Sequence, residues 1–192
     1  KAALEAILDR KEDEVVALYC APDMDGKVVD PIKSYALEKN LKIFQPKNFK
    51  DSQTLKSMQS LNADLCVMAY VTIFVPEEAR NIPKYGSICF HPSLLPLHRG
   101  PSSINWPIIW GSNKTGLSYF WPDDGLDEGE ILLQKDIEIG PDDTLGSVYF
   151  DKVFPIGIQA TLEAIDLVRA GRSPKIVQDH SIATYEGWCN KE

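Results

Sequence analysis

His91 stands where chemistry is easiest to argue. It closes an apolar run, Ser87-Ile-Cys-Phe90, and opens a turn in which Pro92 and Pro96 fix the backbone. About thirty residues on, Asp123-Asp-Gly-Leu-Asp-Glu-Gly129 supplies carboxylates from a loop punctuated by glycine. An imidazole and a carboxylate that meet across one cavity can polarise a carbonyl and move a proton. Asp127 is the acid best placed to do so, because Leu126 and Gly129 let its loop tuck inward. A carboxylate buried beside a histidine has a perturbed affinity for protons, which suits transfer near neutral pH. Asp123 and Asp124 read as a solvated acidic turn.

Cys89 precedes His91 by two positions, so strand alternation puts both on one face and Phe90 on the other. That pairing raises two sharper readings, a thiolate nucleophile and a Cys/His/Asp zinc site. Nucleophilic cysteines sit at helix N-termini or strained elbows rather than inside a strand. A zinc site would need a third ligand from the Asp127 loop. A packed or weakly hydrogen-bonding thiol is the better reading, and no metal is expected. Arg99-Gly100 fits two roles equally, binding an anionic tail or neutralising nearby acids. His98 and His180 read as surface or loop residues. Trp106 and Trp110 fall at helical spacing and read as packing.

The elements that must carry these groups alternate. Residues 2–9 predict a helix, with Leu4, Ile7 and Leu8 on one stripe. Residues 14–20 (EVVALYC) predict a strand covered on both faces. Residues 23–26 predict a turn, 31–40 a helix, and 41–44 a strand closing at Pro46. Asp51 or Ser52 caps a helix running to about Leu61. Residues 64–70 predict a third strand, 76–81 a short helix, and 87–90 a fourth strand. This rhythm implies a doubly wound, mainly parallel sheet with right-handed crossovers. Such sheets bind ligands beyond the carboxyl ends of their strands, where both His91 and residues 71–75 fall.

Beyond this point the rhythm changes. Residues 102–110 predict a helix, and 116–121 and 130–138 an antiparallel pair of strands flanking the acidic loop. Asp142-Asp-Thr144 caps a long helical stretch to about Arg169, interrupted near Pro155 and ended by Gly171. The last twenty residues carry no clear pattern. No repeat or linker divides the chain, so residues 1–192 are expected to form one domain.

At 192 residues and 44% hydrophobic, the chain can bury a substantial core without staples. Its net charge of -8, with no Lys/Arg run longer than two, disfavours nucleic acid as a partner. The four cysteines form no CxxC pair and suit reduced thiols, and no apolar run approaches twenty residues. These features predict a cytoplasmic protein without a membrane partner. G-x-G-x-x-G and Walker loops are absent, so nucleotides have no sequence support.

Residues 87–99 and 123–129 resemble the N-terminal domain of the formyltransferases that use 10-formyltetrahydrofolate. That family's signature is an Asn-x-His-Pro-Ser-Leu-Leu-Pro strand end and a D-x-G-x-D-x-G loop, its Asp thirty-six residues after its His. Here the interval from His91 to Asp127 is also 36. HPSLLPLHRG, SSINW, FWPDDGLDEGEILLQK and the closing Thr184-Tyr-Glu-Gly187 look closest to the hydrolase domain of 10-formyltetrahydrofolate dehydrogenase. The resemblance implies a Rossmann-like formyltransferase fold with an antiparallel pair late in the chain. It implies His91 and Asp127 as catalytic residues, and a folate held by Ile73, Phe74, Val75 and the segment leading to Asp127. The donor substrate implied is 10-formyltetrahydrofolate, with no metal.

Cys89 stands where most of the family has Asn, and a thiol is a weak donor beside a carboxamide. That departure, shared with the dehydrogenase's hydrolase domain, favours hydrolysis to tetrahydrofolate and formate. Transfer to an amine (methionyl-tRNA, a sugar amine or a purine precursor) is the alternative, and a non-catalytic folate-binding domain is the third reading. The resemblance implies that the family's first strand lies ahead of Lys1 in a longer native chain, and an acceptor-binding domain, fused or separate, is a further expected partner.

Overall fold

A computed structural model of the chain describes residues 1–24, 26 and 28–190. The turn expected at 23–26 includes Asp25, which lies outside the described residues. The chain divides into two compact units. The first comprises Lys1–Cys66 and Val71–Gly86, and the second comprises Val67–Tyr70 and everything from Ser87 onward.

In the first unit, α1 (Ala2–Arg10) buries Leu4 and ends at Lys11, which takes a left-handed conformation at φ 56°. Strand β1 (Leu18–Tyr19) runs parallel to β2 (Ile43–Phe44). A parallel pair needs a crossover, supplied here by α2 (Pro31–Glu38). Pro31 sits in the first turn of α2, and Asp30 caps it by accepting from the Ile32 N–H. Leu4, Tyr35 and Ala36 form the core, with Leu8, Val15, Leu18, Ile32, Leu41 and Ile43 packed on it. Helix α3 (Ser52–Ser60) is capped by Asp51, as expected. Helix α4 (Glu77–Arg80) follows Pro76.

Strands β1 and β2 are shorter than their apolar runs predict, as is the later Cys66–Met68 against an expected 64–70. Only Leu18–Tyr19 of the expected 14–20 pairs, because β2 offers two residues before Pro46, which lacks an N–H to extend the ladder.

In the second unit a four-stranded sheet has the order β3-β4-β5-β6, with β3 at Cys66–Met68, β4 at Ser87–His91, β5 at Lys114–Phe120 and β6 at Ile131–Glu138. The expected antiparallel pair β5–β6 is present, and β5 also runs antiparallel to β4. Helix α5 (Asn105–Ile109) bridges β4 and β5 in sequence and is shorter than the predicted 102–110. The architecture is the α/β, mainly parallel, Rossmann-like type expected, with antiparallel strands late in the chain.

The long helical stretch is three elements. Thr144 and Ser147 form a reciprocal capping box on α6 (Leu145–Ser147). Val148–Val153 is π-helical, and the Phe154 N–H reaches back to the carbonyl of Tyr149. Helix α7 (Phe154–Arg169) then runs to Gly171, whose φ of +64° suits glycine. Pro155 explains the widened turns: it has no N–H, and its ring would crowd the carbonyl of Asp151 in an ordinary helix. Helix α7 lays a small-residue face on the sheet, burying Gly157, Ala160, Thr161 and Ala164. A β-carbon at Gly157 would meet the Phe90 ring at 3.4 Å, an ordinary van der Waals contact, so Gly157 packs directly over that ring. The Thr161 hydroxyl bonds Tyr119 Oη at 2.7 Å, satisfying both groups in the interior.

Candidate active site

Strand alternation sets the two faces of β4. Cys89 and His91 pair across the ladder with Phe120 and Ser118, while Phe90 pairs with Tyr119 on the α7 side. His91 lies within the strand, as its last residue, rather than just after it.

The turn that follows β4 is held by buried hydroxyls. Ser93 Oγ donates to the carbonyl of Leu97 at 2.6 Å. Ser118 Oγ donates to the carbonyl of Ser93 at 2.7 Å and accepts from the Leu95 N–H at 3.1 Å. Gln134 Nε2 donates to the Leu95 carbonyl and to Ser118 Oγ, both at 2.9 Å. These bonds replace the ladder that a turn gives up, so the backbone after His91 is fixed without regular structure.

The imidazole of His91 is 7% exposed. Its Nε2 lies 2.8 Å from the carbonyl oxygen of His98. A carbonyl only accepts, so Nε2 carries a proton and donates it. The other nitrogen, Nδ1, then faces Oδ2 of Asp127 at 3.6 Å. That separation leaves the pair outside direct hydrogen-bond range, and Nδ1 is the atom left to gain or lose a proton.

Asp127 adopts φ +56°, a left-handed conformation that aspartate tolerates better than most residues. Its Oδ2 also accepts from the Gly100 N–H at 2.8 Å. Gly129 is buried two residues on, and a β-carbon there would fall 1.7 Å from the Trp121 carbonyl oxygen. The inward tuck expected of this loop is therefore real, although Leu126 is exposed. Asp123 and Asp124 are exposed, as a solvated turn requires, and Asp123 closes that turn by accepting from the Gly125 N–H.

The Cys89 thiol is half-buried and packs against Leu95, Phe120 and Ile131. Its sulfur lies 3.7 Å from the carbonyl of Phe90, a weak contact at most. Among the described residues, no group of three His, Cys, Asp or Glu side chains is placed to hold a metal ion. Ile73, Phe74 and Val75 belong to the first unit. There Ile73 and Phe74 are exposed, and Val75 is buried with its carbonyl accepting from Arg80 Nη1 at 2.6 Å. The Arg80 guanidinium also lies 6.0 Å from the Phe74 ring centroid.

The structure decides between open readings at Arg99 and His98 and differs from the expectation at Trp110. Arg99 is only 2% exposed. It bonds Gln178 Oε1 through Nε and Nη2, at 3.2 and 2.7 Å, and lies 3.5 Å from Glu128. It neutralises acids and is not open to an anionic tail. His98 is not a surface residue: its Nδ1 meets Glu186 at 3.0 Å and its N–H meets the Thr184 hydroxyl at 2.8 Å. Trp110 is 67% exposed rather than packed, whereas Trp106 donates to the Gly187 carbonyl at 2.9 Å.

The largest omission of the sequence reading is the C-terminal segment. Residues 176–187 carry almost no regular structure, only a bridge from Ile176 to Ile131, a 3₁₀ turn at His180–Ile182, and a bridge from Tyr185 to Arg99. Yet they supply Gln178, Thr184 and Glu186 to the surroundings of His91 and Asp127. Gln178 donates to the carbonyls of Asp127 and Gly129, at 2.9 and 2.7 Å. The one available signal was the run Thr184-Tyr-Glu-Gly187; nothing marked Gln178.

The fold is thus of a Rossmann-like α/β type in which β4 presents a histidine to a loop carboxylate. The sequence model of a family described as formyl transferase matches residues 3–164, and the chain belongs to that family. It is 43% identical over 189 residues to human cytosolic 10-formyltetrahydrofolate dehydrogenase, covering 95% of this chain and 21% of that protein. It is 38% identical over 187 residues to methionyl-tRNA formyltransferase of Fusobacterium nucleatum, covering 95% of this chain and 60% of that one. The chain spans about a fifth of the length of the dehydrogenases it matches. Among solved structures, glycinamide ribonucleotide transformylase 1 from Symbiobacterium toebii superposes with a TM-score of 0.76 at 20% identity, over 92% of this chain and 88% of that one. WlaRD, a sugar 3N-formyl transferase solved with dTDP and 5-N-formyl-THF, gives 0.74 at 18% identity, over 97% and 65%. At these identities the two structures speak for the fold.

Proposed function

We propose that the chain is one catalytic domain that cleaves the formyl group of 10-formyltetrahydrofolate, giving tetrahydrofolate and formate, with His91 and Asp127 as its catalytic residues. The observation that carries this reading is the 3.6 Å approach of His91 Nδ1 to Asp127 Oδ2, with Nε2 tied behind to the His98 carbonyl. In this reading water adds to the formyl carbon and gives a proton to the Asp127 carboxylate. The carbonyl electron pair moves onto oxygen, and a protonated His91 donates from Nδ1 to that oxyanion. Collapse breaks the bond from carbon to N10, which takes the proton held on Asp127; His91 recovers its proton from the hydroxyl that re-forms the carbonyl, and formic acid leaves and ionises to formate.

Cys89 supports water as the acceptor. A thiol among Leu95, Phe120 and Ile131 offers the oxyanion little beside the usual carboxamide. One lost oxyanion donor typically costs about 10²–10³ in rate, which leaves His91 as the principal donor. Ile73, Phe74 and Val75 are proposed as folate contacts in the first unit, where Ile73 and Phe74 are exposed apolar groups that suit a flat ring. The human relative named as cytosolic favours a cytoplasmic setting, although a mitochondrial form is also 43% identical. Among the described residues no helix is long and apolar enough to cross a membrane.

A second reading, transfer of the formyl group to an amine, has one observation in its favour: the Fusobacterium methionyl-tRNA formyltransferase aligns along 95% of this chain. It would call on an acceptor-binding domain, fused or separate. The test is product analysis with formyl-labelled 10-formyltetrahydrofolate, with and without amine acceptors. Formate released without any amine is the expected result. Label appearing only on an amine would overturn hydrolysis, and no label released under either condition would overturn both readings.

A further inference from the structure

We propose that Gln178 is the positioning residue that sets the Asp127 carboxylate, an inference that rests on the reading of Asp127 as catalytic. The Gln178 side chain is 3% exposed, and every one of its polar positions is engaged. Its amide nitrogen donates to the carbonyl of Asp127 at 2.9 Å and to that of Gly129 at 2.7 Å. Its amide oxygen accepts from Arg99 Nε at 3.2 Å and Nη2 at 2.7 Å. The orientation has no alternative. Flipped, the amide would set its oxygen against two carbonyls and its nitrogen against a guanidinium, which has no acceptor.

The clamp holds a backbone that would not hold itself. Asp127 is left-handed at φ +56°, a region an L residue keeps only when its surroundings dictate it. Gln178 grips the carbonyl of that same residue and that of Gly129, two positions on. The side chain that this conformation aims is the one meeting the Gly100 N–H at 2.8 Å and facing His91 Nδ1. Arg99 completes the geometry: it orients Gln178, and its chain neighbour Gly100 supplies the N–H. Gln178 therefore fixes Asp127 from its backbone, and Gly100, beside the Arg99 that orients Gln178, fixes its carboxylate. A glutamine that merely tied the C-terminal segment down would need one of these bonds, not four.

The test uses Gln178→Met, similar in size but without donors, and Gln178→Glu, which keeps an acceptor for Arg99 and loses both donations. The first readout is the Gly100 amide proton in NMR. In the parent protein it should move as the Asp127 carboxylate titrates, and in Asp127→Ala that movement should vanish. Positioning predicts that the movement is lost or strongly reduced in both Gln178 variants, while thermal unfolding shows them folded. The second readout is turnover. A displacement of about 1 Å can cost on the order of 10² in rate, so kcat should fall by about that factor with KM changed less than about threefold.

In an Asp127→Ala background, Gln178→Met should lower kcat no further, since the group it serves is gone. Should Gln178→Met fail to fold, Gln178→Glu carries both readouts. A Gly100 amide that titrates normally in either folded variant, with kcat unchanged, would overturn the proposal. Undiminished turnover in Asp127→Ala would instead sink the catalytic reading, and the Gly100 amide would still judge whether Gln178 sets the carboxylate.

Discussion

Replacing Gly129 with alanine puts the loop geometry under direct strain. An added β-carbon would lie 1.7 Å from the Trp121 carbonyl oxygen, 2.8 Å from its carbon and 3.2 Å from the Pro122 α-carbon. Real contacts of this kind need about 3 Å, so the oxygen must retreat by more than 1 Å. It belongs to the backbone and cannot swing aside as a side chain would. The residue that bears this carbonyl is anchored twice: the Trp121 N–H donates to the Glu130 carbonyl at 2.8 Å, and its indole donates to the Pro174 carbonyl at 3.1 Å. Overpacking costs about 1–3 kcal/mol, and disturbing the Trp121–Glu130 bond adds about 1 kcal/mol. A loss near 3 kcal/mol follows, which for a domain of this size lowers Tm by roughly 10 °C. Circular dichroism melting of Gly129→Ala beside Gly187→Ala measures it. At Gly187 the new β-carbon meets nothing within 4 Å, so that variant should stay within roughly 0.5 kcal/mol of the parent. A Gly129→Ala protein that melts with the parent, or equal losses in both variants, would refute the reasoning.

Two pH effects follow from named groups. Burial first and foremost pushes the Tyr119 hydroxyl up to about 12; the unfolded chain ionises near 10, so this stabilisation is intact below pH 10 and is lost as pH climbs through 12. That rise corresponds to about 3 kcal/mol at most, and Tyr119→Phe should reduce the alkaline loss between denaturant titrations at pH 9 and 11.5, the remainder coming from the other tyrosines that burial raises, Tyr70 among them. The Lys152 ammonium at 2.5 Å, followed by the Ser147 hydroxyl and the Gly140 N–H, holds the Asp143 carboxyl down at about 2. Its contribution is present above about pH 4 and disappears as pH falls through 2. Asp143→Asn should therefore melt below the parent at pH 7 and with it near pH 2, and a gap unchanged across that range would contradict the assignment.

His91 and Asp127 were legible because their surroundings obey simple patterns. An apolar run announces β4, prolines announce the turn after it, and glycines announce a loop able to fold inward. The caps were legible for the same reason: Asp51 and Thr144 lie where side chains must replace missing helical bonds. Ser118, Gln134, Gln178, Thr184 and Glu186 were not. Each is a polar side chain bonding a backbone or a charge far away in sequence, as Gln178 does across 51 positions to Asp127, and such pairings leave no periodicity. His98 lies in a loop, as read, but its partners were hidden, because Glu186 and Thr184 arrive from the far end of the chain. The first three strands were overstated in length because an apolar run shows only a tendency to be buried, whereas pairing ends where the neighbour ends; the fourth and fifth came out a residue longer than expected.

The central claim is that an imidazole and a carboxylate act together on one formyl carbon. Single-turnover formate release from 10-formyltetrahydrofolate, measured for His91→Ala, Asp127→Asn and the double variant, tests it most directly. Each single change should slow release by about 10²–10⁴ with folate affinity within a few-fold of the parent. The double variant should be no slower than the worse single one, as for residues working as a unit. A folded His91→Ala or Asp127→Asn protein that releases formate at the parent rate would contradict it.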